Sequence, residues 1–263
     1  MELNGRPVST GELASLALYG YGHFTTMLVR DLRVRGLDLH TRRLARDCRT
    51  LFGSDLDLPR VRELARRTAR EHGSPTVVRV TVYDPHMDLA RPDASALPHV
   101  LVTARPAPAP GSAPPPVRLG TRGFCRDAPE VKGTGLFGAI RERRAARLDG
   151  YDDALFTTPE GLVSEGPTWN IGFVDGGGLV WPEAPALDGV TARLIDRVAA
   201  DLGVPVIRRP LTASAATRMS GAFVTNAATG LRPVAALDGV HLPSSPVVTR
   251  LAHGYAELSG DRL

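Results

Sequence analysis

The sequence predicts an α/β protein of mixed element order (mixed α+β), and three observations carry that reading. Runs rich in β-branched residues, such as 22–30 (GHFTTMLVR) and 76–83 (TVVRVTVY), read as strands, whereas 40–51 and 137–148 repeat their apolar residues at a helical spacing. The two kinds of segment do not alternate strictly, which argues against a doubly wound parallel sheet. Residues 106–116 (PAPAPGSAPPP) hold six prolines in eleven positions and can neither feed a ladder nor coil. We read them as an interdomain linker or semi-rigid loop between an N-terminal α/β domain, residues 1–105, and a C-terminal domain, residues 117–263.

Taken in order, Asn4-Gly5 marks a hairpin turn, the segment 22–30 a strand, and Asp31-Leu32 a turn into a further extended stretch over 34–39. A helix is expected from His40, with Leu44, Cys48 and Leu51 on one side and arginines largely on the other. A second helix begins at Pro59, a favoured first-turn residue, and stops at Gly73. Strands follow at 76–83, 100–104 and near Val117, then a helix at 137–148 and a strand at 152–157. Thr158-Pro159-Glu160-Gly161 turns the chain, and strand 169–174 ends at the turn Asp175-Gly176-Gly177-Gly178. Gly189 opens a helix to Leu202, strands lie at 204–208 and 222–225, and a helix over 247–258 ends the series.

Composition removes several function classes. A net charge of +4 on 263 residues, with only 5% aromatics and the arginines gathered on helices, gives no nucleic-acid footprint. No apolar run approaches a membrane span, and the N-terminus has no signal-peptide pattern. Cys48 and Cys125 fit neither a disulfide framework nor a zinc site, so a reducing cytoplasm is expected. No histidine pair has metal-ligand spacing, so no metal is expected; GxSxG and the Walker pattern are also absent.

What remains is an imbalance: Lys132 is the sole lysine among 32 basic residues. Arginine replaces lysine wherever a surface charge suffices, but a guanidinium cannot lose its proton, act as a nucleophile or form a Schiff base. Lys132 is therefore a candidate reactive amine, against the plain alternative of a leftover surface lysine. Arg43, three residues after His40 at the expected helix start, can hold a phosphate or make a surface ion pair. Val190-Thr191 after Gly189 at a helix start, and Asn226-Ala227 after a strand, offer backbone donors for an anion, or are an ordinary helix start and turn. Glu165 ends a strand and can keep a ring nitrogen protonated, although most glutamates are merely solvated. Arg79 inside a strand needs an anionic partner if it faces inward, and a substrate carboxylate is one.

These signals fall in one order: Tyr19-Gly20-x-Gly22-x-Phe24, His40-x-x-Arg43-Leu44, Val131-Lys132, Gly150-Tyr151-Asp152-Asp153-Ala154, Gly161-x-Val163-x-Glu165-Gly166-x-x-x-Asn170, Leu187-x-Gly189-Val190-Thr191 and Asn226-Ala227-x-x-Gly230-x-x-Pro233-Val234. The ordered set resembles the class IV aminotransferases, pyridoxal-phosphate enzymes of fold type IV that include branched-chain and D-amino acid aminotransferases and aminodeoxychorismate lyases. The resemblance implies two α/β domains, pyridoxal 5'-phosphate held between them by a Schiff base to Lys132, and a homodimer. It implies Glu165 on the pyridine nitrogen, and Arg43, Val190, Thr191, Asn226 and Ala227 around the phosphate. Tyr19, Phe24 and Phe137, with Arg79, would line the substrate, an amino acid or related amine.

Phe24-Thr25-Thr26 resembles the lyases of the family, in which a hydroxyl at the position of Thr26 assists proton transfer. Other positions depart from the family: Gly133-Thr134-Gly135 follows the lysine where asparagine and tyrosine are frequent, Tyr21 replaces an aspartate and Ala192 an arginine. The expected function is amino-group transfer, with a lyase releasing pyruvate as the alternative and a non-catalytic cofactor-binding homologue as a further one.

Overall fold

A computed structural model of the chain describes residues 1–107 and 115–263. Most of the expected linker, residues 108–114, lies outside the described residues. The chain divides into two compact units, Met1–Pro108 with Val131–Leu136 and Ser259–Leu263, and Ala109–Glu130 with Phe137–Leu258.

The first unit opens with β1 (Glu2–Leu3) and β2 (Arg6–Pro7), a hairpin made possible by positive φ at Asn4 (50°) and Gly5 (88°). Helix α1 (Thr10–Tyr19) follows, then β3 (His23–Arg30), β4 (Arg33–Val34), α2 (Leu37–Phe52), α3 (Leu58–His72), β5 (Thr76–Tyr83) and β6 (His99–Pro106). The second unit holds β7 (Val117–Gly123), α4 (Phe137–Leu148), β8 (Asp153–Thr157), β9 (Asn170–Asp175), β10 (Gly178–Pro182), α5 (Val190–Asp201), β11 (Val206–Arg209), α6 (Ala213–Ala216), β12 (Gly221–Asn226), β13 (Gly230–Leu237), β14 (Val240–His241) and α7 (Pro246–Glu257). Strand β15 (Asp261–Arg262) returns to the first unit and pairs with β4.

The expected α/β class is present, and three local expectations need correction. Helix α1 was not anticipated, although Ser9 and Glu12 form a reciprocal capping box at its start and Gly20 closes it in the left-handed region. The extended stretch expected over 34–39 is only β4, because Gly36 at φ 66° turns the chain and α2 begins at Leu37. His40 and Arg43 therefore lie inside the helix rather than at its start. Residues 178–182 and 230–237 are also strands, beyond those the sequence predicts.

The first sheet runs β15-β4-β3-β5-β6-β1-β2. Met27, Val29, Val78, Val80, Val82, Val100 and Val102 share a core cluster with Leu44 and Cys48 of α2 and Val61, Leu64 and Ala65 of α3. Register puts Phe24 opposite Thr81 and Thr26 opposite Arg79, so these four residues occupy the other face of the sheet. The second sheet runs β11-β10-β9-β12-β13-β7-β8 and is mixed, with parallel pairing at β10/β11, β13/β7 and β7/β8.

Residues 131–136, read from sequence as part of a C-terminal domain, belong to the first unit because their backbone is tied to the start of β3. Phe24 N donates to Lys132 O (2.9 Å), Thr134 N donates to Gly22 O (2.8 Å), and His23 bridges Gly133. Gly22 is needed where the chain enters β3 beside β5, since a Cβ there would come within 2.7 Å of Val82 O.

Candidate active site

In the first unit, two cationic groups converge on one aromatic ring. Lys132 Nζ lies 5.0 Å from the centroid of Phe24, and Arg79 Cζ lies 3.6 Å from the same centroid. Arg79 Nε donates to Thr81 Oγ1 (3.2 Å), its neighbour on that sheet face. Burial pushes the Arg79 guanidinium below its ordinary range, and no ion pair with a carboxylate offsets this among the described residues. Thr26 stands opposite Arg79 in the register. Tyr19, the last residue of α1, is partly exposed and immediately precedes Gly20, whose carbonyl accepts from Thr134 Oγ1.

Behind this face, α2 presents His40, Arg43 and Asp47, spaced i, i+3 and i+7 and therefore on one stripe. All three are buried. Arg43 Nη2 donates to Thr25 Oγ1 (3.1 Å), which lies 2.7 Å from His40 Nδ1. Burial, then the positive charges of Arg43 and Lys132, hold His40 well below its usual range, so it is neutral. Asp47 Oδ1 accepts from Arg46, and its Oδ2 accepts the backbone N–H of Lys132 at 3.0 Å.

The second unit holds the other residues expected at the site. Glu165 is buried, and its Oε1 accepts from Arg126 Nε at 2.8 Å; Arg126 Nη2 also donates to Pro167 O (2.7 Å) and Gly166 O (3.3 Å). Helix α5 starts at Gly189 with no side-chain cap, and Val190 and Thr191 in its first turn are buried. The Thr191 hydroxyl has no hydrogen-bond partner among the described residues, nor does that of Thr225 at the end of β12. Asn226 Oδ1 accepts from Ala228 N and Thr229 N, both at 3.0 Å, so its side chain folds back on its own loop and half-buried Ala227 contributes backbone alone. Phe137, the first residue of α4, is 81% exposed.

The Amino-transferase class IV family matches residues 22–237, most of the chain and every residue just described except Tyr19 and Gly20. The chain belongs to the class IV aminotransferases. Among curated relatives, the branched-chain-amino-acid aminotransferase of Pseudomonas aeruginosa is 31% identical over 113 residues, 41% of this chain and 37% of the relative, so the chain matches little more than a third of that protein's length. Solved structures align over nearly the whole length. The branched-chain aminotransferase of Thermoproteus uzoniensis with norvaline has a TM-score of 0.87 at 25% identity, covering 97% of this chain and 92% of that one. A hypothetical aminotransferase from Mycobacterium tuberculosis in its pyridoxal phosphate-bound form has a TM-score of 0.81 at 25% identity, covering 96% and 93%.

Two residues of this class IV aminotransferase lay outside the sequence reading. Asp47 sits in an arginine-rich helix that reads as a solvated face, and its partner Lys132 is 85 positions away. Arg126 is one of many arginines, and nothing local singles out its pairing with Glu165 39 positions on.

Proposed function

We infer that this class IV aminotransferase binds pyridoxal phosphate at Lys132 and moves the amino group of an amino acid to a keto acid. The observation that carries this reading is the shared platform of Phe24, where a primary amine meets a desolvated guanidinium that has no carboxylate partner among the described residues. An amino acid needs both: an amine-exchanging lysine and a cation for its carboxylate.

The residues present fit the cofactor. A buried threonine hydroxyl without a partner among the described residues, in the first turn of an uncapped twelve-residue helix, suits a phosphate, because the helix end supplies N–H donors and positive potential. In the second unit, Thr191 and the backbone at Val190 and Asn226-Ala227 would hold that phosphate; in the first, Arg43 is the candidate phosphate ligand. Glu165, fixed by Arg126, would hold a proton on the pyridine nitrogen. When bound, the cofactor supplies an electron sink for charge released at the amine-bearing carbon. Lys132 Nζ would take the proton from that carbon and deliver it to the cofactor side of the carbon–nitrogen bond, the shift that amino-group transfer requires, while the Phe24 ring and Arg79 would keep the substrate oriented and its surroundings dry. The cofactor-bound M. tuberculosis neighbour supports the cofactor, and the branched-chain relatives suggest aliphatic donors as the first to test.

The reading includes a homodimer, supported by Phe137, Ile140 and Leu148 exposed along one face of α4, and a cytoplasmic setting, supported by two unpaired cysteines. Lyase chemistry stands second, favoured by Thr26 on the same sheet face as Phe24 and Arg79.

The test is the visible spectrum of the cofactor-loaded protein during addition of L- and D-amino acids and aminodeoxychorismate, without keto acid. Stoichiometric bleaching by one amine, reversed by a keto acid, is the expected result. Pyruvate released over many turnovers from aminodeoxychorismate with the band intact would select the lyase instead. A protein that develops no band with excess cofactor is not a pyridoxal enzyme.

A further inference from the structure

Lys132 is followed by Gly133, Thr134 and Gly135, a stretch in which the backbone has little intrinsic stiffness. Its placement depends on what ties it down. Three described ties run to one strand entrance: Lys132 O to Phe24 N, Thr134 N to Gly22 O, and Thr134 Oγ1 to the carbonyls of Gly20 and Gly22. The fourth comes from a helix. Asp47 of α2, wholly buried, gives Oδ2 to the Lys132 amide at 3.0 Å, while Oδ1 receives the fork of Arg46 at 2.7 and 3.1 Å.

A carboxylate is an expensive group to bury, and this one is placed so that both oxygens are used. Arg46 balances the charge from a half-exposed position, which leaves Oδ2 for a charge-assisted bond to the lysine amide, about twice the strength of a neutral one. Arg43 projects from the same helix one turn earlier, about 6 Å along the axis. The lysine anchor and the candidate phosphate ligand are thus carried by one rigid element.

We propose that Asp47 is a positioning residue for Lys132, its buried carboxylate fixing the lysine backbone to the helix that carries Arg43 and so setting where the amine emerges. The proposal rests on the reading of Lys132 as the cofactor-binding lysine. It gives α2 a role beyond covering the sheet: geometry at the amine and geometry at the phosphate cannot drift independently.

The experiment compares two ligands in the full chain. Pyridoxal phosphate requires the Lys132 amine for covalent attachment, measured as the borohydride-stable mass increase on that residue. Pyridoxamine phosphate carries the same phosphate and ring but no aldehyde, so its affinity, measured by equilibrium dialysis, reports the non-covalent cup alone. In Asp47→Ala, covalent loading at a given pyridoxal phosphate concentration should require about tenfold more ligand, the loss expected for one charge-assisted bond, with pyridoxamine phosphate affinity held within about twofold. Asp47→Asn keeps an acceptor for the amide and should load within about threefold of the parent. A parallel loss of both ligands in Asp47→Ala would mean general collapse of the site and overturn the proposal. Unchanged loading in Asp47→Ala, or equal losses in the two variants, would overturn it as well. A parent protein that yields no borohydride-stable adduct at all overturns the cofactor reading, and the Asp47 proposal falls with it.

Discussion

Arg126 Nε lies 2.8 Å from Glu165 Oε1, in a pair whose side chains are only 18% and 5% exposed. The guanidinium is further committed to two main-chain carbonyls, so it holds both the carboxylate and the turn that follows it. Removing one member of a buried pair takes a charge-assisted bond from the other. Arg126→Ala should therefore lower the stability of the cofactor-free protein by about 3–5 kcal/mol, read by urea denaturation, and should also weaken pyridoxal phosphate binding. Arg126→Lys, which keeps the charge but not the fork, should recover only part of both. A variant as stable as the parent would show that the pair contributes no more than a surface ion pair does.

Acid sensitivity has a specific origin in the first unit. His23 is buried, and neither ring nitrogen has a hydrogen-bond partner among the described residues. Burial, aided by the charge of Arg43, pushes its pKa down to about 4. Between about pH 6.5 and pH 4 the unfolded chain binds a proton that the folded chain excludes, so stability rises with pH across that window and is lost as pH falls through it. The displacement corresponds to about 3 kcal/mol. His23→Leu should flatten the stability-against-pH curve between those limits, leaving the residual slope due to His40, which is depressed in the same direction. An unchanged slope in chemical denaturation at stepped pH would show that His23 is hydrated in solution.

Much of the fold was legible because its signals are local. Helix α4 was predicted at its observed limits, 137–148, and α3 to within a residue, because an apolar stripe, Pro59 and Gly73 suffice to bound it. Helix α1 escaped because its TGELASLALY pattern lacks a clean polar face, although its capping box was present in the letters. At the site, Lys132 was visible through composition alone. The burial of Arg43 and the fate of Asn226 were not, since a sequence does not say which arginine turns inward or whether an amide is used by its own turn. Asp47 and Arg126 were invisible for a further reason: each acts on a partner far along the chain, and only the fold brings them together.

Arg79 separates function from stability. Its contact with the Phe24 ring contributes about 0.5–2 kcal/mol, whereas a guanidinium taken from water with no carboxylate partner among the described residues costs several kcal/mol. The second effect is larger, so Arg79→Met should leave the apo protein as stable as the parent or more so. Its loss should appear in substrate binding instead: KM for an amino acid should rise by about 10- to 100-fold, the value of one charged hydrogen-bonding contact. Amines that lack a carboxylate should be unaffected. Equal losses for both kinds of substrate would move the carboxylate site elsewhere.

Thr191 allows the sharpest test of the phosphate end. Its hydroxyl is buried and unpartnered among the described residues, at the first turn of a helix whose Gly189 cap offers no side chain. An unsatisfied buried hydroxyl costs about 1–3 kcal/mol, a cost that a bound oxyanion removes by accepting its proton. Thr191→Val keeps the shape and removes only the polar group. The cofactor-free protein should therefore become more stable, by a few degrees in Tm, while affinity for pyridoxal phosphate and for inorganic phosphate falls by about tenfold. Opposite signs in the two measurements are the signature of a group kept for its ligand. Should apo stability fall instead, the hydroxyl has a partner in the folded chain, and the anion at the α5 N-terminus would then be held by backbone donors without it.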